Sequence, residues 1–214
     1  MNCVDLLVFD LDGTLVTSGA DIAASVNHAL SMLGRPTREY QDIMNFIGDG
    51  VHRLIEKSLG PHCSAEFAEA LDIFSSHYDE HMLDTTVLYP SVQEVLRHFE
   101  NKSKVIITNK RFRYSTKMVE ALHIREYFAE IIGADTMPYI KPDSRILEPV
   151  LARYNTTPAR AAVVGDGVND VLLAKNAGVV SCAFLNGLTS RETLLALKPD
   201  YAFEDLSELM HLFC

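Results

Sequence analysis

Residues 6–9, LLVF, form a continuous apolar run that stops at Asp10, Asp12 and Gly13, the pattern of a buried strand ending in a turn. Short apolar, β-branched runs recur at 104–108 (KVIIT), 130–134 (EIIGA), 161–166 (AAVVGD), 179–185 (VVSCAFL) and 200–203 (DYAF). Between them the apolar spacing lengthens to that of amphipathic helices, over 91–100, 112–123, 143–154, 169–178 and 190–197. This alternation predicts an α/β fold: a doubly wound, Rossmann-like parallel sheet with helices on both faces.

Residues 16–85 break the rhythm, with helical patterns over 21–34, 38–48, 50–60 and 64–83 and no strand pattern between them. A helical insert after the first strand follows. The predicted division is an α/β core of residues 1–15 and 86–214 carrying a small helical domain, 16–85, which leaves and re-enters the core near the end of strand one.

A hydrophobic content of 48% fits a globular chain, and a net charge of −10 without a basic tract argues against a nucleic-acid partner. No apolar run is long enough to span a membrane, and the first ten residues lack the basic start of a signal peptide, so the expected location is the cytosol. Cys3, Cys63, Cys182 and Cys214 lie far apart and are expected to be reduced thiols. Both a monomer and a homodimer are compatible with the sequence.

Asp10 and Asp12, two apart at a strand end, lean toward one side. Two carboxylates placed together require a cation, a shared proton or both. Parallel sheets bind ligands beyond the carboxyl ends of their strands, and those positions here carry Thr108 and Asn109, Lys141 in the loop after 130–134, and Asp166 with Asp170. Each has a local reading as a cap or loop residue; together they suit a hard divalent cation, best Mg2+, and a phosphoryl group. With Asp12 protonated, three carboxylates and a dianionic phosphate carry about −5 against one lysine, and each close like-charge pair costs about 4 kcal/mol at an effective dielectric of 20.

These residues resemble the phosphatases of the haloacid dehalogenase superfamily: FDLDGTL the first motif, Thr108 in IITNK the second, Lys141 in IKPD the third, and Asp166 with Asp170 in GDGVNDVLLAKNAG the fourth. The helical insert is similar to the cap of one branch, and TNK, LYPSVQEVL and IGDGVHRLIEKSL look most like the phosphoglycolate phosphatases. Ser91 in place of a frequent glycine, Arg111 in place of a common proline and Gly167 in place of Ser or Thr depart from that pattern.

The resemblance implies that Asp10 is the nucleophile, forming an aspartyl phosphate, and that Asp12 is the general acid and base. It implies that Asp10 and Asp166 bind Mg2+ through side chains, Asp12 through its backbone carbonyl, with Asp170 ligating or holding waters. Thr108, Asn109 and Lys141 would hold the phosphoryl oxygens. The substrate is then a small phosphorylated metabolite, with 2-phosphoglycolate expected. Rival readings are a phosphomutase of the β-phosphoglucomutase type, a pyrophosphatase and, outside enzymes, a phospho-receiver domain, against which the insert and Asp12 both argue. In the insert, Gly50, His52 and Arg53 begin a helix whose N–H groups favour a carboxylate, which makes them candidate substrate contacts. The other histidines read as surface or half-buried helix residues.

Overall fold

In the computed structural model, which describes residues 3–61 and 65–214, six parallel strands form one sheet in the order β3-β2-β1-β4-β5-β6. The strands are β1 (Leu6–Phe9), β2 (Ser103–Ile107), β3 (Glu130–Ile132), β4 (Ala161–Gly165), β5 (Val180–Phe184) and β6 (Tyr201–Phe203). Helices α1 (Gly19–Met32), α2 (Tyr40–Met44), α3 (Val51–Leu59) and α4 (Phe67–His81) lie between β1 and β2. The remaining six are α5 (Val92–His98), α6 (Phe112–Ala121), α7 (Glu148–Arg153), α8 (Val168–Ala177), α9 (Arg191–Ala196) and α10 (Leu209–Leu212).

Alternation along β1 builds both layers of the core. Leu7 and Phe9 pack with Leu96 and Met118 on one face, while Leu6 and Val8 pack with Ile146, Val150 and Leu173 on the other. All four β1 side chains are buried, each contributing roughly 1.5–3 kcal/mol. A central strand covered on both faces is therefore apolar throughout, as LLVF is. Phe9 is level with Ile106 of β2 and Val164 of β4, so the residues that follow all three strands emerge at one edge.

The helices between β1 and β2 pack on one another, α1 along α4, with Ala70, Phe74 and Tyr78 of α4 buried at four-residue spacing. Where the chain leaves and returns, Val16 bridges Leu88 in antiparallel fashion and the Thr17 N–H donates to the Val87 carbonyl at 2.9 Å. Asp21, in the first turn of α1, fastens this junction. Its buried carboxylate accepts the Thr85 hydroxyl at 2.6 Å, the Thr86 hydroxyl at 2.7 Å and both residues' N–H groups. Burial alone would raise the Asp21 pKa; these hydrogen bonds outweigh it and hold the pKa below the usual carboxylate range.

Two expectations need correction. The helix over 143–154 is broken into a 3-10 turn, Ser144–Ile146, and α7, because Pro149 lacks an N–H and fits only a first helical turn. Cys3 and Cys214 are joined in a disulfide, their Cα atoms 4.9 Å apart, because the fold brings the two ends of the chain together. Cys182 is a free, buried thiol; Cys63 and His62 lie outside the described residues. No helix among the described residues is long and apolar enough to cross a membrane.

Candidate active site

Asp10 is the first residue past β1, and its N–H still donates to the Val164 carbonyl of β4 at 2.9 Å, which fixes the backbone beneath its side chain. Asp166 follows β4, and Asp170 lies in the first turn of α8, accepting the Gly167 N–H at 2.9 Å. One carboxylate oxygen from each of Asp10, Asp166 and Asp170 lies within 4.8 Å of the others. Asp166 accepts the Thr14 hydroxyl and the Leu188 N–H, both at 2.7 Å. Gly13, at φ +83°, passes so close to Asp166 that a Cβ there would overlap its carboxylate.

Lys141 is buried among these acids, its Nζ 2.7 Å from Asp10 Oδ1 and 2.6 Å from Asp170 Oδ1. Burial opposes its charge, but Asp10 and Asp170 overcome that and raise its pKa. Burial, reinforced by the charges of Asp10 and Asp170, pushes Asp166 up to about 8. Burial and the Asp10 charge likewise push Asp170 up to about 7, against Lys141 and the Gly167 N–H. Acids resisting ionisation for want of positive charge, all with hard oxygen donors, fit a divalent cation.

Thr108 follows β2 by one residue and is buried. Its Oγ1 accepts the Lys110 N–H at 3.2 Å, which leaves the hydroxyl hydrogen to donate toward the cavity it lines. Asn109 is placed differently from the expected phosphoryl contact. Its amide donates to the carbonyls of Lys141 (3.0 Å) and Gly48 (2.9 Å) and its Oδ1 accepts the Lys141 N–H at 3.0 Å, so both amide hydrogens already have acceptors. The side chain braces the lysine loop against the turn before α3.

Asp12 has the partners that sequence reasoning missed. Lys110 Nζ lies 2.9 Å from its Oδ1 and 3.1 Å from its Oδ2, and the Ser18 hydroxyl donates to Oδ1 at 2.5 Å. The same ammonium donates to the Tyr78 hydroxyl at 2.6 Å, so a residue of α4 reaches the second aspartate of the core through one lysine. Burial pushes the Tyr78 phenol up to about 12 and so keeps it protonated, although Lys110 pulls the other way. A hint of Lys110 existed, since it directly follows Thr108 and Asn109; nothing in the local pattern marks Tyr78.

A cavity of about 70 Å³ opens above Asp10, Asp12 and Thr108. Its walls are apolar, with Ile22, Ile47, Leu54, Phe74 and Tyr114 prominent, and its cations are Lys110 and Arg111. Of the candidates in the insert, Gly50 lines this cavity. His52 instead meets Arg111, ring nitrogen to guanidinium 3.4 Å, and Arg53 pairs with Glu56 at 2.5 Å and lines an outer groove. Asn169 at the start of α8 donates to the Gly48 carbonyl (3.1 Å) and to Asp49 (2.9 Å), holding the turn before α3 against the sheet edge.

A parallel sheet with an aspartate just past its central strand, further acids past the neighbouring strand and a buried lysine between them defines a doubly wound α/β protein with an acidic, cation-ready site at its strand ends. The sequence profile of haloacid dehalogenase-like hydrolases matches residues 7–184, and the chain belongs to that family. Phosphoglycolate phosphatase of Vibrio parahaemolyticus is 31% identical over 97% of this chain and 95% of its own length. The enzyme of that name from Pseudomonas putida is 34% identical over 96% of this chain and 78% of its own. Among solved structures, a predicted phosphoglycolate phosphatase from Haemophilus somnus superposes with a TM-score of 0.92 at 27% identity, covering 98% of this chain and 97% of the other. A haloacid dehalogenase-like hydrolase from Streptococcus pneumoniae gives 0.89 at 25% identity, covering 99% of each chain.

Proposed function

We propose that this hydrolase is a magnesium-dependent phosphatase of small phosphate monoesters that acts through an aspartyl phosphate on Asp10, with 2-phosphoglycolate as substrate. The observation that carries the reading is Asp10 itself, held at the end of β1 beside Lys141 and lining the cavity between the sheet edge and the inserted helices. The Asp10 carboxylate attacks phosphorus in line and the bond to the leaving oxygen breaks. That oxygen takes a proton from Asp12, which later accepts one from the water that hydrolyses the acyl phosphate. Thr108 and Lys141 hold the phosphoryl oxygens as charge shifts between them.

Asp10, Asp166 and Asp170, with the Asp12 carbonyl, would hold the magnesium ion. Its positive charge would offset the excess negative charge of these carboxylates and of the substrate phosphate.

Helices α1–α4 then act as a cap whose apolar surface keeps water from the acyl phosphate. The cavity walls provide few partners for sugar hydroxyls, whereas Arg111 provides positive charge for a substrate carboxylate. This contrast, together with the names of the relatives, favours phosphoglycolate over hexose phosphates. A turnover panel of phosphoglycolate, glucose 1-phosphate, glucose 6-phosphate and pyrophosphate with Mg2+ tests it. The expected kcat/KM is highest for phosphoglycolate; equal rates with a hexose phosphate, or conversion of one hexose phosphate to another, would reject the substrate.

A further inference from the structure

We propose that Lys110 and Tyr78 are a positioning pair that aims Asp12 at the leaving oxygen, so that protonation in the core depends on α4 being seated over it. The inference rests on the phosphatase reading and names residues that reading does not need.

Three observations carry it. First, the Lys110 ammonium touches both oxygens of Asp12 and the Tyr78 hydroxyl, and with three hydrogens it can serve all three acceptors at once. Its side chain is 7% exposed and that of Asp12 is 12% exposed, so little water competes. Second, the Tyr78 ring is itself fixed, stacked on Phe74 at 5.4 Å and edge-on to Tyr114 at 5.3 Å. Third, α6, which begins two residues after Lys110, grips the same turn of α4. Arg113 pairs with Asp79 at 2.8 Å, Lys117 also reaches Asp79, and the Tyr114 hydroxyl donates to the Ser75 carbonyl at 3.1 Å.

The loop carrying Thr108 and Lys110 therefore reads the position of α4 through Tyr78. With α4 displaced, Lys110 loses an acceptor and Asp12 is left with a mobile partner. Ser18 fastens only Oδ1, so rotation of the carboxylate is restrained mainly by the lysine.

A positioning role for a proton donor has a signature that binding and folding lack. An alkoxide needs a proton as it leaves, whereas acetate does not. Tyr78→Phe, Lys110→Met and Lys110→Arg would be compared with the unchanged enzyme on acetyl phosphate, trifluoroethyl phosphate and ethyl phosphate, one acyl phosphate and two small esters whose leaving groups become progressively less acidic. kcat/KM reports phosphoryl transfer to Asp10 in each case. The expected loss on ethyl phosphate is about 10-fold for Tyr78→Phe and about 100-fold for Lys110→Met, shrinking to within about 3-fold on acetyl phosphate, with Lys110→Arg between the two. A loss of the same size on all three compounds, or none on ethyl phosphate, overturns the proposal. Tyr78→Phe keeps the ring and its packing, so it decides the matter even if Lys110→Met does not fold. If the unchanged enzyme cleaves neither these compounds nor phosphoglycolate, the phosphatase reading fails first, and visibly so.

Discussion

The Lys141 ammonium stands between an aspartate that ends β1 and one in the first turn of α8, 2.7 Å from Asp10 and 2.6 Å from Asp170, with almost no water access. One buried positive charge shared by two acids makes this lysine structural as well as functional. Lys141→Met should abolish turnover and destabilise the metal-free protein by about 3–5 kcal/mol, the cost of removing one partner from a buried ionic cluster. Urea unfolding in chelator, with activity assayed in parallel, checks both. A variant as stable as the unchanged protein would show that the acids simply take up protons.

Asp10→Asn should shift stability in the opposite direction. The amide is a poor nucleophile, so phosphate release should fall below detection, while removal of one anion from the Asp10, Asp166 and Asp170 cluster should raise the melting temperature in chelator. Thermal unfolding with and without Mg2+ measures this. Appreciable turnover by the variant would exclude the covalent route.

Removal of divalent cations should silence the enzyme and Mg2+ should restore it. Ca2+ should restore it poorly, because its larger and looser shell places nucleophile and phosphorus less well. Full activity in excess chelator would refute the metal requirement.

Asp21 makes the junction between α1 and residues 85–86 acid-sensitive. Its folded pKa is lowered, so the stability it contributes is present above its unfolded value, near 3.8, and is lost as pH falls through the folded value. Asp21→Asn should cost about 2–3 kcal/mol at pH 7, through weakened hydrogen bonds to Thr85 and Thr86. Its deficit against the unchanged protein should narrow below pH 4, as melting curves from pH 2.5 to 7 (about half-unit steps) would record. A constant deficit would place the effect in packing instead.

Two glycine-like positions in this chain should respond oppositely. Ser91 occupies the left-handed region at φ +64°, so Ser91→Gly should stabilise by about 1 kcal/mol, measured by denaturant midpoint. Gly50, at φ +85°, has the Asn109 carbonyl 3.2 Å from where a Cβ would sit. Gly50→Val should therefore displace the turn before α3 and raise the KM for phosphoglycolate about 10-fold, with a smaller effect on acetyl phosphate. Unchanged kinetics would remove this turn from the substrate site.

Much of this protein could be read along the chain. LLVF, VII and AAVV are apolar because a strand covered on both faces must be, and the residues that end them, Asp10, Thr108 and Asp166, are polar because there the sheet meets its ligand side. Local periodicity located the helices between β1 and β2 as well; further along it ran through Pro149, where a new helix starts, and passed over α10. What neighbours in sequence could not determine was which side chains meet across long separations. Asp12 and Lys110 are 98 residues apart, Lys110 and Tyr78 are 32 apart, and Cys3 and Cys214 are 211 apart. Such contacts follow from how α4 lies on α6 and how the chain ends meet beside the sheet, and these arrangements are set by the packing of whole faces. Periodicity says that Tyr78 is on the buried stripe of its helix; only the tertiary structure brings its hydroxyl to the lysine that holds Asp12.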